Sequence, residues 1–138
     1  MNQLIHSAVL SSGATTGMPS SPNERAQLPR VESGVRVRAD DLKRMMARLN
    51  RVSSVHMRTR GTHAAMLCST DGETLAFAED VGRHNALDKV IGAELLDERT
   101  PLDTHALFVS GRTSFEIVQK AFVAGIPVVA SVSAPSSL

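Results

Sequence analysis

The stretch Glu79-Asp-Val-Gly-Arg-His-Asn-Ala-Leu-Asp-Lys89 decides how this chain is read. It follows a short apolar run and opens an amphipathic segment, which makes it a junction between a strand and a helix. Gly82 frees the backbone at the turn, and Arg83, His84 and Asn85 fall on the first helical turn. Backbone N–H groups at a helix start have no partner within the helix, and the helix dipole favours an anion there. A second junction of the same kind, Val109-Ser-Gly-Arg-Thr-Ser-Phe115, comes some thirty residues later. Two Gly-Arg pairs at two helix starts point to one shared anion site.

Around these junctions the chain alternates. Leu42, Met45, Met46 and Leu49 predict a helix from Asp40, capped by Asp40 or Asp41 and ending near Arg51. His63–Ser69 and Thr74–Ala78 read as strands joined by Asp71-Gly72, a strong hairpin signal. After the first junction, Ala86, Leu87, Val90, Ile91 and Leu95 mark the buried face of a helix ending near Glu98, before Thr100-Pro101. His105–Val109 is continuous enough for a strand covered on both faces. Thr113 or Ser114 caps a helix with Phe115, Ile117, Val118, Ala121 and Phe122 on its apolar side, and Gly125 ends it. Ile126–Val132 is the last strand. Two strand–helix–strand crossovers in succession predict parallel pairing in a mixed sheet with helices on both faces. The expected organisation is a mobile or irregular segment over 1–38, rich in Ser, Pro, Gly and Thr, followed by an α/β cofactor-binding domain over 39–138.

Composition narrows the class of protein. The chain has 138 residues, about one domain's worth. No apolar run approaches the roughly 18 residues that span a bilayer, and the first residues lack the pattern of a signal peptide, so a cytoplasmic protein without a membrane role is expected. One cysteine, Cys68, excludes an intrachain disulfide and an all-cysteine metal site. Charge is uneven: residues 1–60 carry +6 and residues 61–138 carry −5. The basic half holds no aromatic residue on which a base could stack, which argues against nucleic acid.

Arg83 and Arg112 suit bidentate contacts with phosphate oxygens. Asn85, Ser110 and Ser114 could orient a heterocycle or ribose, and Asp88 and Lys89 lie on the second turn of their helix. His84 could carry a proton or a ligand. His63 and His105, at strand entrances, read as structural, and Cys68 reads as a small core residue.

These residues resemble the formate dehydrogenase accessory family, the FdhD-type sulfur carriers. The matching stretches are Thr62-His-Ala-Ala65, Glu79 through Gly92, Val109-Ser-Gly-Arg112, Ser114-Phe-Glu-Ile-Val-Gln-Lys-Ala121, Ala124-Gly-Ile-Pro127 and Ser131-Val-Ser-Ala-Pro-Ser-Ser-Leu138. The resemblance implies a three-layer α/β/α sandwich with a mixed sheet, cytidine deaminase-like. It implies a homodimer that takes sulfur from a cysteine desulfurase and passes it to the molybdenum guanine dinucleotide cofactor, as cargo, before insertion into formate dehydrogenase. Carried over by motif, Arg83, His84, Asn85, Asp88, Lys89, Ser110, Gly111, Arg112 and Ser114 line or support the cofactor site, with no tightly bound metal.

The chain departs from the family pattern in two ways. The positions of the family's Cys-x-x-Cys carrier pair fall on Gly13 and Thr16, within Ser11-Ser-Gly-Ala-Thr-Thr-Gly17, so no catalytic residue is assigned. A hydroxyl cannot accept and release sulfane sulfur as a thiolate does. The chain is also expected to be shorter than its family at both ends. The alternative is therefore a thiol-less module that binds the molybdenum cofactor or a guanine nucleotide without transferring sulfur. A zinc deaminase on the shared fold is disfavoured, because Gly111-Arg-Thr-Ser114 offers no cysteine at the second helix start.

Overall fold

The computed structural model describes residues 31–135 and the backbone of 7–10. In chain order the elements are β1 (Ser7–Leu10), α1 (Ala39–Val52), α2 (Ser54–Thr59), β2 (His63–Ser69), β3 (Thr74–Asp80), α3 (Arg83–Leu96), β4 (His105–Val109), α4 (Phe115–Val123) and β5 (Val128–Ser131). The sheet order is β1-β5-β4-β2-β3. Among the described strands only β4 and β5 pair in parallel; β1–β5, β2–β4 and β2–β3 are antiparallel.

Strict alternation in the three central strands builds both layers of core. Ala65, Leu67, Leu107, Val109 and Val129 face one side, where α3 and α4 cover them with Ala86, Leu87, Val90, Ile117 and Ala121. Ala64, Met66, Cys68, Ala106, Phe108, Val128 and Ala130 face the other, under Leu42, Met45, Met46 and Leu49 of α1. A strand with apolar residues at every position needs a cover on each face, so the result is a three-layer α/β/α sandwich.

The structure corrects several expectations. The crossover β3–α3–β4 does not join adjacent strands: β2 lies between them, antiparallel to both. The hairpin turn forces β2 beside β3, and β2's other edge then takes β4. Within the segment expected to be mobile or irregular, Ser7–Leu10 is an edge strand on β5, and Val35 and Val37 pack on the α1 layer. Helix α1 begins a residue early; its N-cap is Arg38, without a side-chain cap bond, and Asp40 and Asp41 sit inside the first turn. There they complement the positive end of the dipole rather than cap the helix. Leu95 is exposed, whereas Glu94 is only 1% exposed. Arg99 makes this possible by gripping both oxygens of the Glu94 carboxylate, at 2.7 and 3.0 Å, and holding its pKa below the usual carboxylate range. Helix α3 ends at Leu96 rather than Glu98, the last strand is shorter than expected, and α2 has no counterpart in the sequence reading.

Gly125 performs the predicted stop. Its φ is +81°, its N–H donates to Phe122 O, and the next N–H, of Ile126, donates to Ala121 O at 2.8 Å. That is a Schellman arrangement, closed by the buried Ile126 side chain.

Phe108 is fully buried at the centre of the α1 layer. Phe108→Ala is expected to lower unfolding free energy by about 3–5 kcal/mol, read from the urea midpoint at unchanged m-value.

Candidate functional site

Strand directions decide which chain segments meet. Because β3, β4 and β5 run the same way and β2 runs against them, the ends of β3, β4 and β5 share one rim with the start of β2. Both Gly-Arg junctions and His63 therefore lie at that rim. The junctions touch. A methyl group placed on Gly111 would lie 3.3 Å from both Cβ and Cδ of Arg83, closer than ordinary packing. The Arg83 stem thus crosses the Cα of Gly111, and any larger residue there would displace it. Gly111 is buried, and Arg112, next in the chain, is exposed.

The first junction is braced from below. Asp80, at the end of β3, accepts the Gly82 N–H at 2.9 Å, the Asn85 amide at 3.1 Å and Lys89 Nζ at 2.6 Å. The Lys89 hydrogen bond leads, followed by those from Gly82 and Asn85, in holding the Asp80 carboxyl down to about 2. Asn85 folds so tightly over the turn that a methyl on Gly82 would come within 3.0 Å of its Nδ2. One residue back, Glu79 accepts the N–H groups of Val55 and His56 and the Thr62 hydroxyl. Burial pushes Glu79 up, but these hydrogen bonds outweigh it and hold it below its ordinary value. Glu79 thereby clamps α2 and the entry to β2 onto the rim.

The second junction is fixed by serines. Ser110 Oγ accepts the Ala64 N–H at 2.8 Å, and Ser131 Oγ donates to Gly111 O at 2.6 Å. Ser114 is the N-cap of α4 by position but makes no capping bond. It is 7% exposed, and its buried Oγ makes no hydrogen bond of ordinary geometry, although the Glu116 carboxylate lies near enough to be stabilised by it. Arg83 Nε is buried and unpartnered. Unsatisfied buried donors are rare and costly in native folds, so Arg83 Nε is the group at this rim that most lacks an acceptor.

The residues singled out from sequence thus divide. Arg83, Gly111, Arg112 and Ser114 come together, with His84 half-buried beside Arg83. Asn85 and Lys89 are engaged with Asp80, and Ser110 with Ala64. Asp88 is exposed and takes Lys120 Nζ at 2.6 and 2.7 Å, tying α3 to α4. Gly13 and Thr16 lie outside the described residues. Three rim residues were not singled out as site residues: His63, Glu79 and Glu116. The Glu116 carboxylate is held below its ordinary pKa first by its own backbone N–H and next by the Ser114 hydroxyl, with help from the charges of His84 and Arg83. Counting back from the Asp71-Gly72 turn would have put His63 within one residue of its actual partner, Asp80.

Two other features bear on the site. Cys68 is fully buried, and burial pushes its thiol up. An apolar cavity of about 820 Å³ lies between the C-terminal halves of α3 and α4, lined by Ile91, Leu95, Phe122 and Val123, at the opposite end of the helices from the rim. Among the described residues no group of three or more His, Cys, Asp or Glu could hold a metal ion, and no helix is long and apolar enough to cross a membrane.

Fold and rim together define a three-layer α/β/α protein whose two Gly-Arg helix starts meet at one edge of the sheet. The FdhD/NarQ family model matches residues 2–138, and the chain belongs to that family. It is 58% identical over 102 residues to the Sulfur carrier protein FdhD of Mycobacterium tuberculosis, covering 74% of this chain and 37% of that protein. The corresponding protein of Nocardia farcinica is 52% identical over 112 residues, covering 81% and 40%. A solved structure described as a "putative formate dehydrogenase accessory protein" from Desulfotalea psychrophila superposes with a TM-score of 0.64 at 35% identity, covering 71% of this chain and 41% of that one. The chain therefore spans about two fifths of the length of the relatives it matches.

The Asp80 network carries a pH signature. Its folded-state value of about 2 lies below the ordinary 3.8, so its contribution to stability is complete above 3.8 and is lost as pH falls toward 2. Urea midpoints of the unmodified chain are expected to fall more steeply across that window than those of Asp80→Asn; parallel curves would contradict the network.

Proposed function

We propose that this chain recognises the guanine-nucleotide end of a molybdenum cofactor, the cargo of an FdhD-type sulfur carrier, and that it does so without carrying sulfur on a thiol of its own. The observation that supports this most is the Arg83 stem crossing Gly111, with its Nε buried and unpartnered and the Ser114 Oγ buried near the Glu116 carboxylate. A pyrophosphate oxygen would satisfy both. Arg112 would add charge and direction. In this reading His84 and Gly111 line the site, Ser110 shapes the loop, and Asn85, Asp88 and Lys89 support it by fixing α3.

Sulfur transfer itself needs an accessible, polarisable thiolate. The sole cysteine is sealed in the sheet with its thiol pushed up, and the family's carrier positions correspond to Gly13 and Thr16. The proposed role is therefore cofactor binding in the cytoplasm, in the company of the family's formate dehydrogenase and cysteine desulfurase, as a homodimer. Sulfur is carried elsewhere than on this stretch of chain.

The test uses GDP as the stand-in for the nucleotide end of the cofactor. Calorimetric titration is expected to show binding that weakens about tenfold or more in Arg83→Ala and by a smaller factor in Arg112→Ala. Incubation with a cysteine desulfurase and cysteine, followed by mass spectrometry, is expected to show no added sulfur. GDP binding untouched by either arginine substitution, or a stoichiometric persulfide, would overturn the proposal.

A further inference from the structure

One ionisable group at the rim is unaccounted for by its place in the fold. His63 opens β2, half-buried, and its Nδ1 would lie 3.4 Å from a methyl on Gly111, the same methyl that would press on Arg83. Imidazole and arginine stem therefore both come close to one glycine, and the missing side chain is what lets both approach. A strand-entry histidine with a purely structural role is expected to satisfy its ring within the fold. His56 does so, its Nδ1 lying 2.6 Å from Thr62 O. The His63 imidazole makes no hydrogen bond to any described residue.

The surroundings set its charge. Burial first, then the Arg83 cation and His56, lower the His63 pKa. His56 comes from α2 and Arg83 from α3; Asp80 is the partner of His63 across the hairpin, and the loop at Gly111 carries Arg112. At neutral pH the ring is uncharged, with one nitrogen donating and the other accepting. Next to a fixed arginine that is a useful state: the ring adds hydrogen-bonding capacity without adding repulsion.

We propose that His63 is a ligand-contacting arm of this site, standing with Arg83 across Gly111 and donating a hydrogen bond to the same phosphate that Arg83 and Ser114 receive. The inference rests on the cofactor-recognition reading above and goes further by assigning a residue and a proton to it. A phosphate brought against the ring favours the imidazolium, because an opposite charge at short range stabilises the protonated form. Binding is then coupled to proton uptake on His63. Affinity is greatest at low pH and falls as pH rises through the bound-state pKa, within the range where histidine titrates.

Calorimetric GDP titrations of the unmodified chain, His63→Ala, His63→Gln and Gly111→Ala test this, with thermal unfolding of each to confirm folding. His63→Ala is expected to bind about five- to tenfold more weakly, and His63→Gln to recover part of the loss through its amide donor. Between about pH 6 and about pH 8 the affinity of the unmodified chain falls, and that of His63→Gln falls less. Gly111→Ala weakens binding by pushing both arms apart. If His63→Ala binds GDP as the unmodified chain does while Arg83→Ala does not, His63 is idle and the inference fails, although the site reading stands. Absence of GDP binding by the unmodified chain would end both. A pH dependence that persists in full in His63→Gln would also overturn the role given to His63.

Discussion

The contact on which the site depends is the Arg83 side chain lying across the bare Cα of Gly111. It joins two segments that are nearly thirty residues apart in sequence and belong to different helix starts. Neither start would make an anion site alone. Together they bring an unpartnered, buried guanidinium Nε and a buried hydroxyl to one edge of the sheet, at the positive end of a helix dipole. A glycine is required at 111 because of a close approach, since Gly111 is not among the glycines with positive φ.

Much of the remaining rim exists to hold that contact in place. Asp80 collects three donors and fixes the first turn of α3, so Arg83 leaves the backbone in one direction. Ser131 secures the Gly111 carbonyl, and Ser110 stitches the same loop to β2. Glu79 ties α2 and Thr62 to the neighbouring strand. Each of these groups has its hydrogen-bonding needs met within the chain. Groups that satisfy one another build the frame, and Arg83 Nε is left without a partner at its edge.

This division also explains what could be read from sequence. Periodicity was enough for α1, the hairpin and the strands at 105–109 and 128–131, because their apolar spacing is local. The glycine stop at Gly125 was legible for the same reason. Strand order was not, since nothing local says that β2 lies between β3 and β4. The burial of Glu94 in place of Leu95 depends on Arg99, a partner outside the helix pattern. Asp88 and Lys89 look available on a helix diagram, but Lys120 and Asp80 engage them across the fold. His63 was read as structural because its neighbours in sequence say nothing of Arg83. The motif residues Arg83, Gly111, Arg112 and Ser114 were legible because helix-start chemistry is itself a local property.

The chain belongs to the FdhD/NarQ family, and its Cys68 is sealed in the sheet with its thiol pushed up. The most direct test is a crystal structure of the chain with GDP bound. The account predicts a phosphate oxygen within about 3 Å of both Arg83 Nε and Ser114 Oγ. Nucleotide in the apolar cavity between α3 and α4, with the Gly111 crossing unvisited, would contradict it.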